Sequence, residues 1–91
     1  MNITFSSQAW EEYLYWQRTD PAMVAKINNL LNVIRRTTFE GLGKPEALKH
    51  GLRGFWSRRI TDEHRLVYRI SGEKGINQVC EEAQCCYHYS K

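Results

Sequence analysis

Four arginines stand where a β-hairpin would fix them. From Gly54 to Tyr68 two runs rich in aromatic and branched residues flank a short polar turn, and the second run continues through Arg69 and Ile70. Side chains alternate faces along a strand, so Trp56, Arg58 and Ile60 oppose Phe55, Ser57 and Arg59, while Leu66, Tyr68 and Ile70 oppose Arg65, Val67 and Arg69. One face can pack as core and the other can display arginine. A guanidinium fork remains charged and bonds two oxygens at once, so arginines on a rigid sheet suit a phosphate. Exposed arginines on a wet sheet face also serve plain solubility, and the hairpin by itself does not separate these uses.

A second cluster, Cys80, Cys85, Cys86 and His88, invites a metal reading. On a regular strand at ~3.3 Å per residue, Cys80 and Cys86 are about 20 Å apart, and Cys85 and Cys86 point to opposite faces. Zinc holds sulfur at about 2.3 Å, so this spacing does not make a shared site, and no metal or cofactor is expected. Three cysteines without a secretion signal suit free thiols in a reducing, cytoplasmic setting. Nothing resembles a signal peptide or a membrane span.

These residues need a scaffold. The 91 residues suggest one domain spanning 1–91, too small for a deep cleft between lobes. The net charge is only +3, but most of the basic excess lies between Lys44 and Arg69. Ile3 to Phe5 is a strand candidate, with Ser6 or Ser7 as N-cap. Trp10, Tyr13, Leu14 and Gln17 recur at helical spacing, with Glu11 and Glu12 expected in the first turn. Trp10 and Trp16 are expected in core or interface. Asp20-Pro21 signals a second helix, striped by Val24, Ile27, Leu30, Leu31 and Ile34. Gly41, Gly43 and Pro45 mark a loop, and Glu46 to Lys49 reads as one helical turn. After the hairpin, a turn at Ser71–Gly75 leads to a last strand running to Tyr87 or His88. The order strand-helix-helix-strand-strand-strand gives an α+β fold: a mostly antiparallel sheet with two helices on one face and an open basic face. Arg58 should then be a solvated or partner-facing charge turned away from the open face, and His50 and His64 structural.

Phe39–Glu46, Leu48–His50, Gly54–Ile60, Glu63–Tyr68 and Tyr87–Tyr89, with Trp10–Trp16 and Asp20, together resemble the Txe/YoeB family of bacterial toxins, within the RelE-like superfamily. The resemblance implies a ribosome-dependent messenger RNA endonuclease that inhibits translation. It cuts by attack of the ribose 2′-hydroxyl on the adjacent phosphate. Glu46 matches the general base, His88 the general acid and Arg65 the group that stabilises the phosphate in the transition state. Lys49, Arg59 and Tyr89 match supporting positions that contact the RNA or order the site. The implied partners are the ribosome, messenger RNA and a YefM-like antitoxin, acidic and partly disordered; a homodimer is compatible, and no membrane is involved. The chemistry is coherent, since such cleavage needs a base, an acid and positive charge at the phosphorane, all without metal. Histidine can donate a proton near neutral pH. Two departures stand out: the hairpin before the last strand is longer than in the shortest members, and Cys86 replaces a common arginine. The alternative is a catalytically weak relative that binds RNA or a partner.

Overall fold

The structure is a computed structural model that describes residues 1–87. Strand β1 (Asn2–Phe5) is followed by helices α1 (Ser7–Thr19) and α2 (Pro21–Arg36), then strands β2 (Glu46–Ala47), β3 (Trp56–Arg59), β4 (Arg65–Ser71) and β5 (Val79–Gln84). The sheet order is β1-β5-β4-β3-β2; β1 runs parallel to β5 and the other pairs are antiparallel. The expected α+β architecture is therefore present, with one additional short edge strand.

The helices form where their punctuation dictates. The Ser6 hydroxyl accepts a hydrogen bond from the Ala9 N–H at 3.1 Å, capping α1, and Pro21 opens α2. Met23, Ile27, Leu30, Leu31 and Ile34 of α2 pack with Trp16, Ile60, Leu66, Tyr68, Cys80 and Cys85. Val24 lies at the margin of this core. Both helices therefore cover the sheet face that carries Leu66 and Tyr68. No helix among the described residues is long and apolar enough to cross a membrane.

Several local expectations fail for physical reasons. Glu46 and Ala47 are extended, because their backbone pairs with Ser57 and Trp56; the helical turn falls later, as 3-10 turn His50–Leu52. Glu11 and Glu12 lie beyond the first turn of α1. Glu12 instead accepts the Cys85 N–H at 2.7 Å, tying α1 to the end of β5. Of the two tryptophans expected in core or interface, Trp16 is core, and Trp10, 47 % exposed against the rings of Phe5 and Tyr13, lies outside the core on a surface that an interface would use.

Strand β5 stops at Gln84 rather than Tyr87 or His88, and it is not regular. Val67 lies opposite Gln84 while Tyr68 lies opposite Glu82, so Ala83 is an extra residue in the ladder. The bulge reverses the parity of later positions, which lets Cys80 and Cys85 enter the same core. Burial, with the neighbouring carboxylates, pushes the Cys80 and Cys85 thiols up, Cys85 to about 12. The polar residues of this strand divide by face. Glu81 pairs with Arg69 at 2.6 Å, whereas Glu82 faces the core and is fully buried.

Arg58 is the clearest correction. It does point away from the open face, but it is neither solvated nor turned to a partner: it is 0 % exposed and bonded to the loop between α2 and β2.

Candidate active site

The sheet face opposite the helices carries the expected residues in a defined register. Glu46 lies opposite Ser57, and Ser57 opposite Val67; one row further along, Arg59 lies opposite Arg65. Directly paired residues hold their Cβ atoms about 4.5–5.5 Å apart, and diagonal neighbours are about 7–8 Å apart. Arg59 and Arg65 are thus adjacent cations, with the Glu46 carboxylate diagonal to Arg59. Ser57 and Val67 in the middle of this face are covered, 3 % and 1 % exposed, while Glu46 and Arg59 are exposed.

The arginines of this face differ in how far they are committed. Arg69 is ion-paired with Glu81 and lies 5.1 Å from the centre of the Phe55 ring. Arg65 donates through Nη1 to the carbonyls of Thr61, Asp62 and His64 at 2.8, 3.0 and 3.2 Å. Those bonds close the β3–β4 turn and orient the guanidinium, leaving its remaining N–H groups without a described partner. Arg59 makes no side-chain hydrogen bond or ion pair among the described residues. Like charges facing each other across a sheet are destabilising unless an anion joins them. A phosphate between Arg59 and Arg65 would relieve the repulsion.

Lys49 is exposed and immediately precedes the 3-10 turn. It is placed by buried Leu48, whose N–H donates to the Phe55 carbonyl at 2.9 Å. Arg59 also lines a groove of about 230 Å³ formed with Lys26, Leu30, Leu42 and Gly43.

His88 and Tyr89 lie outside the described residues. The chain leading to them is fastened as far as Tyr87. The Trp16 indole N–H donates to the Cys85 carbonyl at 2.9 Å, and the Arg65 N–H donates to the Tyr87 carbonyl at 3.1 Å. The Tyr87 N–H donates to His64 Nδ1 at 2.7 Å, and Tyr87 adopts φ 59°. His64, buried against Trp16, is structural as expected. Cys86 lies past the end of the strand, so alternation does not govern it. It packs at the edge of the core, and burial, with Glu12 and Glu63 nearby, pushes its thiol up. Among the described residues, no three His, Cys, Asp or Glu side chains converge on a point that could hold a metal ion.

Sequence reasoning missed Glu12 as the anchor of the β5 end and Arg58 as the anchor of the loop before Glu46. The available signal for Arg58 was its parity, opposite to that of Arg59.

Residues 5–89 match the family model described as the YoeB-like toxin of bacterial type II toxin–antitoxin systems. The chain is 54 % identical to toxin YoeB of Escherichia coli K12 over 89 residues, covering 98 % of this chain and all of the relative. It is 45 % identical to toxin YoeB of Streptomyces coelicolor, with the same coverage. A solved YoeB/ParE toxin from Agrobacterium tumefaciens superposes with a TM-score of 0.92 at 52 % identity, covering 98 % of this chain and 100 % of that one. A YoeB–YefM toxin–antitoxin complex from Staphylococcus aureus gives 0.85 at 51 % identity, covering 98 % of both chains. A mutant of Escherichia coli YafQ, 15 % identical with a TM-score of 0.76 over 94 % of this chain and 91 % of that one, shares the fold. The sheet register, the arginine face and these likenesses agree: the chain belongs to the YoeB-like toxins of bacterial type II toxin–antitoxin systems.

Proposed function

We propose that this toxin is a ribosome-dependent messenger RNA endonuclease working by metal-independent general acid–base catalysis. The observation that carries the reading is the cross-strand pair Arg59–Arg65 with Glu46 diagonal to it on the same exposed face. Glu46 takes the proton of a ribose 2′-hydroxyl. The 2′-oxygen attacks the adjacent phosphorus, and Arg65, assisted by Arg59, stabilises the charge that gathers on the non-bridging oxygens. His88 donates a proton to the departing 5′-oxygen, leaving a cyclic phosphate and a free 5′-hydroxyl. Lys49 and Tyr89 hold the flanking RNA.

The exposure of Glu46, Lys49 and Arg59 supports dependence on the ribosome. A shallow face orients a flexible strand poorly, and orientation is worth several kcal/mol of a barrier. The ribosome supplies it by presenting the messenger in the decoding site. An acidic, partly disordered YefM-like antitoxin complements the basic face and blocks it; the likeness to the Staphylococcus aureus YoeB–YefM complex supports an antitoxin partner. Homodimer formation is proposed on the likeness to the Staphylococcus aureus YoeB dimer.

The test compares cleavage of one messenger free in solution and on programmed ribosomes at low protein concentration. Cutting should be efficient only on the ribosome; equally efficient, sequence-selective cutting of the free RNA would contradict the proposal. One observation favours a second reading, a weakly catalytic binding relative: Cys86 contributes no cation where the family commonly has arginine. Under that reading programmed ribosomes would be bound and the messenger left intact.

A further inference from the structure

The loop between α2 and β2, residues 37–45, must deliver Glu46 to the sheet, and it has no regular structure of its own. Gly41, Gly43 and Lys44 adopt φ of 105°, 89° and 52°. The strand it leads into has only two residues, Glu46 and Ala47, and so short a pairing fixes little by itself. At Gly43 the positive φ strains any other residue, and a Cβ there would lie 3.0 Å from Arg58 Cβ and Leu30 Cδ2, close enough that the neighbours would have to shift.

The loop turns its carbonyls inward onto one guanidinium. Arg58 Nη2 donates to the carbonyls of Thr37, Thr38 and Glu40 at 2.6, 3.1 and 3.0 Å, and Nη1 donates to that of Leu42 at 2.9 Å. Nε donates to the Tyr68 hydroxyl at 3.1 Å, and that hydroxyl donates to the Thr38 carbonyl at 3.0 Å. The Arg59 N–H then holds the Gly43 carbonyl at 2.7 Å, three residues before Glu46. Arg58 and Tyr68 are both 0 % exposed, so the donor groups of these bonds are withdrawn from water, and the bond between the two side chains is fully buried. The fork geometry matters, since a lysine carries the same charge but cannot span carbonyls spread over so wide an arc.

The geometry points to Arg58 and Tyr68 as positioning residues for cleavage: from the buried side of the sheet they lock the 37–45 loop and thereby hold Glu46 in register with Arg59 and Arg65. The inference rests on the reading of Glu46 as general base. One strand thus does both jobs, with Arg58 fixing the loop from inside and Arg59 meeting the phosphate outside. Neither Arg58 nor Tyr68 touches substrate. Their effect belongs to the chemical step and not to ribosome affinity, which depends on the exposed face.

The test is single-turnover cleavage on programmed ribosomes by Tyr68→Phe and Arg58→Lys, each alone and combined with Glu46→Ala, with ribosome affinity measured in parallel. Small misplacements of a reacting group can lower a rate by about 10²-fold, so each single variant should slow the chemical step by about 10–10²-fold at unchanged affinity. In the Glu46→Ala background neither change should slow it further, because the group being positioned is already gone. Tyr68→Phe removes one buried oxygen and keeps the ring, so it decides the matter if Arg58→Lys does not fold. Wild-type chemistry in Tyr68→Phe, or losses that multiply with that of Glu46→Ala, would overturn the positioning role while leaving Glu46 as the base. A fully active Glu46→Ala would remove both.

Discussion

Arg58 and Arg59 are adjacent in sequence and opposite in use. Alternation along β3 separated them correctly from the sequence, as it did Arg65 from Leu66. It did not reveal that the inward arginine meets a cup of loop carbonyls, because backbone groups that converge across some twenty residues leave no residue-level pattern. Glu82 shows the same blindness. Its carboxyl faces the core, accepts a 3.1 Å hydrogen bond from the Cys80 thiol through Oε2, and has no hydrogen-bond partner on Oε1 among the described residues. Burial above all pushes it up from the ordinary 4.5 to about 8. The folded protein therefore binds this proton more tightly than the unfolded chain, and stability falls as pH rises from about 4.5 through about 8. Glu82→Gln keeps a neutral group of the same shape and removes that dependence. Thermal melts from pH 5 to 9 should show the variant gaining on the wild type as pH rises; a constant gap would show that Glu82 does not hold its proton in the folded state.

At the scale of elements, the helices were legible because their apolar spacing and caps agree with each other. Ile27, Leu30, Leu31 and Ile34 are the buried face of α2 as expected. Strand β2 was not legible, since Glu46, Ala47, Leu48 and Lys49 are good helix formers and only pairing with β3 draws the first two into the sheet. The end of β5 was misread because alternation assumes an unbroken ladder, and the bulge at Ala83 breaks it. Ser6 joins the helical and sheet elements. Its hydroxyl caps α1 and donates to the Ala83 carbonyl at 2.9 Å, at the bulge itself. Ser6→Ala should therefore cost about 1–2 kcal/mol, toward the upper end for a lost cap. Urea denaturation measures this, and a midpoint equal to that of the wild type would show that neither bond matters.

On the scale of the whole molecule, two helices cover one face of the sheet and leave the other to Glu46, Arg59 and Arg65. The fold class and the position of this face were legible from the hairpin pattern and the charge distribution. The roles proposed for His88 and Tyr89 rest on family likeness. The proposed division of labour gives each residue a distinct share of the barrier. General acid–base groups typically contribute about 10²–10⁴-fold, and electrostatic stabilisation of the transition state often exceeds any other single contribution. The most direct measurement is single-turnover cleavage of messenger RNA on programmed ribosomes at saturating protein, which separates a slower chemical step from weaker binding. Glu46→Ala and His88→Ala should each slow cleavage by about 10²–10⁴-fold, and Arg65→Ala by a comparable or larger factor. Cleavage at the wild-type rate by both Glu46→Ala and His88→Ala would contradict acid–base catalysis on this face.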